Sequence, residues 1–235
     1  MPETIPQDIP AKPNPLLQTA AQRALAEEAL VIDSLAIDWA RVAHQLTLAN
    51  GDIGKVRRLL DGVTAAFVEM FLASKPITQL VHDRARLVDL VIIDAWQRVA
   101  GKYASVFTLA AVGGYGRHEL HPFSDVDLLL IAPSERKARG ASNQIAAFLA
   151  YLWDVGLEVG HSTRTVRECR SESQADIGVA TTLMESRLIC GTEKLFKKMQ
   201  AAVAPPKVWN SRSFFEAKLK EQNNRHHRYN DTAYN

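Results

Sequence analysis

A chain of 235 residues, 47% hydrophobic and 23% charged, is long enough to bury a substantial core. Its 28 Lys+Arg against 26 Asp+Glu leave a formal charge of +2, which excludes the broad basic footprint of a nucleic-acid-binding protein, so no DNA partner is expected. The apolar runs are broken by charges before the ~20 residues that a membrane-spanning helix needs. Two cysteines, Cys169 and Cys190, and an N-terminus without a signal-peptide pattern predict a reducing cytoplasm.

Residues 1–15, MPETIPQDIPAKPNP, hold five of the ten prolines and read as a disordered tail. Residues 16–75 read as a helical region: AAQRALAEEALVIDSLAIDWARVAHQL is one helix, Asn50-Gly51 a break, and IGKVRRLLDGVTAAFVEMFLAS a second helix. Pro76 opens ITQLVHDRARLVDLVIIDAWQRVA, where Val81, Ala85, Val88, Ile92, Ala95 and Val99 recur at helical spacing and predict one buried face. SVFTLAAVGG and SDVDLLLIA are short apolar runs ended by Gly or Pro and read as strands. SERKARGASN has turn chemistry and predicts a solvated loop.

SNQIAAFLAYLWDVG then reads as a helix closed by Gly156, LEVGHSTRTV as a strand, and QADIGVATTLMESRL as a helix leading to a short strand near LICG. A helix starting near Thr192 ends at Pro205-Pro206, and residues 205–235 begin a further, mostly polar helical segment. Trp39, Trp96, Trp153 and Trp209 are expected as core or interface anchors. The alternation predicts an α+β fold over residues 76–204, a small mixed sheet with helices against one face.

GGYGRHELHPFSDVDLLLI, residues 113–131, carries the chemistry. Side chains two apart on a strand share a side, so Asp125 and Asp127 project together while Val126, Leu128 and Leu130 face the opposite layer. Two carboxylates so close resist ionisation unless a cation neutralises them, and hard oxygen donors on a strand suit Mg²⁺ with substrate phosphates completing its shell. Gly113 and Gly114, without Cβ atoms, let the backbone approach a triphosphate and point N–H groups at it, and Arg117 can neutralise the same charge.

An apolar strand ending in Gly-Gly, eleven steps to Asp125, and Asp-x-Asp entering an apolar strand resemble the DNA polymerase β-type nucleotidyltransferase superfamily. The longer strings VGGYGRHELHPFSDVDLLL, LWDVGLEVGHSTRT, ATTLMESRLICG and EQNNRHHRYNDTAYN are similar to the N-terminal part of the bifunctional PII uridylyltransferase/uridylyl-removing family of bacterial nitrogen control, over about residues 80–235. That resemblance implies Mg²⁺-dependent transfer of UMP from UTP to a tyrosine hydroxyl of the PII signalling protein, with release of pyrophosphate. It implies Asp125 and Asp127 as metal ligands, and Gly113 and Gly114 as the triphosphate loop. Arg117, Ser124 and Arg164 are counted with the nucleotide-binding set. In that family an HD phosphohydrolase domain and two glutamine-sensing ACT domains follow, so the chain reads as the transferase portion of a longer protein.

Two points stay open in the sequence. His118 occupies a position where that family usually has glycine. The superfamily adds a third carboxylate from a neighbouring strand, and LEVGHSTRT offers Glu158 as the choice and His161 as its rival, on opposite faces if the segment is a strand. Nothing in the phosphate loop reads the base, which leaves adenylyl or other nucleotidyl transfer, or a catalytically silent regulatory module, as alternatives.

Overall fold

The computed structural model of the chain describes residues 32–33 and 36–228. The expected tail at 1–15 and the first part of the expected N-terminal helix lie outside the described residues. Where that helix is described it is shorter than its composition predicts. Strand β1 (Ile32–Asp33) pairs antiparallel with β2 (Ala36–Ile37), and α1 (Trp39–Ala49) begins only at Asp38, whose side chain accepts from the Arg41 N–H at 3.0 Å. A β-branched stretch followed by a strong N-cap overrides the alanine-rich helical pattern.

Asn50 and Gly51, with φ of 47° and 80°, turn the chain into α2 (Ile53–Leu72), capped by Asp52. Pro76 precedes α3 (Ile77–Val99), of whose expected face Val81, Ala85, Val88, Ile92 and Ala95 are buried and Val99 partly so. The three helices share a small core of Val42, Val63, Phe67, Met70 and Leu87.

A four-stranded mixed sheet, order β5-β4-β3-β6, forms the centre. Strand β4 (Val126–Ala132) is antiparallel to β3 (Thr108–Ala111) and parallel to β5 (Val159–Thr165), while β6 (Arg187–Gly191) pairs antiparallel with β3. The short helical turn α4 (Gly113–Gly116) follows β3. The crossover from β4 to β5 carries α5 (Glu135–Gly140) and α6 (Ser142–Asp154). The expected solvated loop at 134–143 is therefore helical: the Ser134 hydroxyl accepts from the Lys137 N–H, Glu135 lies in the first turn, and the basic residues sit in the last. Helix α6 closes at Gly156 (φ 94°) with the Gly156 N–H donated to Trp153 O and the Leu157 N–H to Leu152 O, a Schellman turn.

After β5 come α7 (Val166–Ala175), α8 (Ile177–Met184), β6, α9 (Glu193–Val203), α10 (Pro205–Val208) and α11 (Ser211–Arg228). Helices cover both faces of the sheet, not the single face expected. Leu109, Leu128 and Leu130 pack with α3 and α6, whereas Ala110, Leu129 and Ile131 pack with Cys169, Leu183, Phe196 and Met199 of α7 to α9. A strand enclosed on both sides reads as a continuous apolar run, which is why Leu128–Ile131 show no alternation.

Cys169 is fully buried in that second layer and Cys190 partly buried on β6; burial pushes both thiols up to about 11. At pH 8 both stay protonated, so a thiol reagent such as dithionitrobenzoate should label neither faster than the chain unfolds. Rapid labelling of the native protein would contradict the packing described.

Candidate active site

Strand β3 ends at Ala111, and the Val112 N–H donates to the Asp127 carbonyl at 3.1 Å, which carries the β3–β4 ladder to the edge of Gly113 and Gly114. Gly113 then takes φ 60°, a conformation costly for any residue with a Cβ. Asp127 is the one exposed residue of β4, and its carboxylate fits between two glycines. A Cβ on Gly113 would lie 3.3 Å from Oδ2, and one on Gly160 would lie 2.9 Å from Oδ1.

Asp125 is exposed and lies just before β4, which begins at Val126 and not at Ser124 as the sequence suggests. The intended pairing persists through alternation, with Val126 buried between the two acids. Burial, then the charge of Asp125, raises the Asp127 carboxyl above the usual aspartate range.

The β4–β5 register pairs Asp127 with Gly160 and Val126 with Val159, and the Val126 N–H donates to the Glu158 carbonyl at 2.7 Å. Glu158 thus stands beside Asp125, just ahead of β5, and the two line one cleft of about 570 Å³ together with Trp153 and Gly160. His161 pairs with Leu128, its ring 6.4 Å from that of Trp153, and borders a second cleft of about 460 Å³ with Asp127, Ser162 and Arg164.

The two expected phosphate arginines have acidic partners. Arg117 donates from Nε to Glu119 at 2.8 Å and from Nη1 to Glu185 at 2.7 Å, and Arg164 Nη2 lies 2.6 Å from Glu172. Ser124 is exposed, and its N–H donates to the His121 carbonyl at 3.2 Å.

A buried network beneath the loop went unread in the sequence. Tyr115 is 1% exposed and donates its hydroxyl to Asp89 Oδ1 at 2.5 Å, while Arg187 donates to both Asp89 oxygens at 2.8 and 3.0 Å. Burial, then the Asp89 charge, holds the Tyr115 phenol well above its ordinary range, so it stays a neutral donor. The only sequence signal was an aspartate set among apolar residues in LVDLVIID.

The donor set suits a divalent cation. Two hard carboxylates lie together, one of them disfavoured as an anion by its surroundings, and the two glycines beside it leave room for its carboxylate. Among the described residues no group of three His, Cys, Asp or Glu could hold a metal ion by itself. Two protein ligands completed by substrate oxygens is the habit of Mg²⁺.

Residues 92–177, which contain these glycines and carboxylates, match the nucleotidyltransferase domain family. The chain therefore carries a nucleotidyltransferase domain. Its similarity extends further, to proteins named bifunctional uridylyltransferase/uridylyl-removing enzyme. That of Nitrosococcus oceani is 47% identical over 167 residues, 71% of this chain and 19% of the relative. The Pseudomonas aeruginosa protein is 41% identical over 204 residues (87% and 23%), and the Vibrio campbellii protein 42% over 184 (78% and 21%). The chain spans about a fifth of the length of these relatives. No described helix is long and apolar enough to cross a membrane.

The His118 position has a physical explanation: its φ is 63°, in the left-handed region that glycine adopts without penalty. Burial, then the charge of Arg187, lowers its imidazole below the ordinary value, and its ring lies 6.1 Å from that of His82. His118→Gly should raise stability by on the order of 1 kcal/mol, relief of the Cβ strain exceeding the added freedom of the unfolded chain. Denaturant unfolding measures this, and a destabilised variant would show that the ring contacts outweigh the backbone strain.

Proposed function

We propose that the chain catalyses Mg²⁺-dependent transfer of UMP from UTP to a tyrosine hydroxyl of the PII signalling protein, releasing pyrophosphate, and that residues 76–204 form the transferase domain. The observation that carries this reading is the Asp125/Asp127 pair set against Gly113, with Glu158 just ahead of the adjoining strand. The names of the similar proteins support uridylyl transfer in particular, and a cytoplasmic location accords with it.

Asp125 and Asp127 hold the metal, which when bound neutralises charge developing on the phosphate oxygens. The N–H groups of Gly113 and Gly114 receive the leaving pyrophosphate, backed by Arg117 once the nucleotide draws it from its glutamates. Exposed ion pairs of that kind are worth about 0–1 kcal/mol, so such an exchange is cheap. Ser124 and Arg164 complete the nucleotide contacts. Glu158 accepts the proton of the attacking hydroxyl. Positioning and fixed charge supply the catalysis, as is usual for phosphoryl chemistry.

Incubation with PII, labelled UTP and Mg²⁺, with labelled ATP as control, tests the reading: label should pass to PII from UTP alone. Label from ATP, or none from either, overturns it. Asp127→Asn should lower transfer by about 10²-fold or more, several kcal/mol of charge stabilisation being lost with a metal ligand. Because the substitution also removes one member of a repelling, partly desolvated pair, thermal stability should stay level or rise. A variant that unfolds would assign Asp127 a structural role instead.

A further inference from the structure

The two clefts that meet at the acidic pair differ in chemistry. The one bordering β5 and α8 is lined by Asp127 and Asp176 and also by Arg164, which is paired with Glu172. The other, about 570 Å³, is lined by Asp125, Glu158, Trp153 and the backbone around Gly156 to Gly160, with two acids and no cation. Apart from the proposed metal ligand Asp125, its charged lining group is the Glu158 carboxylate, which repels phosphate.

Geometry separates their roles further. The sheet order β5-β4-β3-β6 places β3, and the glycine turn that follows it, on one side of Asp127, and β5 on the other. Displacement at phosphorus is in line, so if pyrophosphate departs over the glycine turn, the attacking oxygen arrives over β5. There Gly160 lacks a side chain, and the Asp127 carboxylate takes up that space, its Oδ1 2.9 Å from where a Cβ would stand, so the acid reaches over the glycine that lines the cleft.

Trp153 forms the outer wall. It is half exposed at the C-terminal end of α6, its Nε1–H donates to the Val159 carbonyl at 3.4 Å, and the His161 ring meets it at 62°. The Schellman turn at Gly156 brings Glu158 back beside it. An aromatic surface next to a proton-accepting carboxylate matches an aromatic ring that carries a hydroxyl.

We infer that this cleft is the acceptor subsite, with Trp153 as the wall against which a tyrosine ring of the acceptor protein stacks and Glu158 as the partner of its hydroxyl. The inference rests on the nucleotidyl-transfer reading and deepens it. In the step it serves, the phenolic oxygen forms a bond to the α-phosphorus and its proton passes to Glu158. The bond between that phosphorus and the bridging oxygen breaks, and pyrophosphate leaves with the electron pair.

Two separate calorimetric titrations test it, one of α,β-imido-UTP with Mg²⁺ and one of PII added to the chain saturated with that analogue. Trp153→Ala should weaken PII binding tenfold or more while leaving the analogue's affinity within twofold, and Trp153→Phe should restore most of the loss. That rescue by a smaller aromatic ring is something a general disturbance of α6 would not give. Weaker analogue binding with unchanged PII binding would make the cleft a base pocket and overturn the inference, as would no change in either titration. Failure of the unsubstituted chain to bind the analogue appears in the first titration alone; it overturns the transfer reading and the subsite with it.

Discussion

Asp127 is confined by backbone on two sides. Gly160 leaves its absent Cβ 2.9 Å from one carboxylate oxygen and Gly113 leaves its own 3.3 Å from the other, so any larger residue at 160 would have to displace the acid or the strand. Much of the architecture follows from that fit. Strand β3 must stop where Gly113 can take φ 60°, and β5 must enter the sheet with Gly160 opposite Asp127. A slip of one residue would set Val159 or His161 against the carboxylate and turn the strand's faces over. The Gly156 turn, which fixes where α6 ends and β5 begins, is therefore as much a part of the site as the acids.

The sequence exposes the features that obey short-range rules. Asp-Val-Asp before a leucine run, two glycines after an apolar strand, and the three-four spacing of α3 are all legible because each depends on residues a few positions apart. Helices on both faces of the sheet follow from the unbroken Leu128–Ile131 run, a signal of double burial that is easily passed over. The helix at 135–140 was hidden because it buries no residue fully, with Ala138 only partly covered by the core, and periodicity detects only helices with a buried face. The choice between Glu158 and His161 turns on strand register, and the Tyr115–Asp89–Arg187 network links residues 26 and 98 positions apart. Neither leaves a local trace.

Charge is distributed so that the protein alone does not complete the site. Asp125 and Asp127 repel each other, Glu158 stands on the same edge, and Arg117 and Arg164 are already matched by glutamates. On the proposed reading, a triphosphate entering without a cation would meet net negative charge at its α-phosphate, so nucleotide and metal would arrive as one unit and the arginines would change partners as they bind.

Stiffness is graded around the same point. Below the glycine turn, Tyr115 is held by a buried carboxylate and guanidinium, and the backbone of Gly116 lies so close to the Glu185 carbonyl that a Cβ would approach it to 2.1 Å. Above it, residues 117–125 are exposed except for Leu120, which is 1% exposed and pins the middle of the segment. On either side of that pin the backbone turns left-handed, at His118 (φ 63°) and at Phe123 (φ 64°), whose side chain is 98% exposed. Bulky residues hold such conformations only where their surroundings dictate the path, and that path is set by Leu120 in the core and Val126 in the sheet. The strain falls on the rim, while Asp127 and the Gly160 that faces it stay on the paired strands β4 and β5. The metal and protein acceptor proposed for this site would both be served by that division, a fixed pair of carboxylates beneath a less constrained rim.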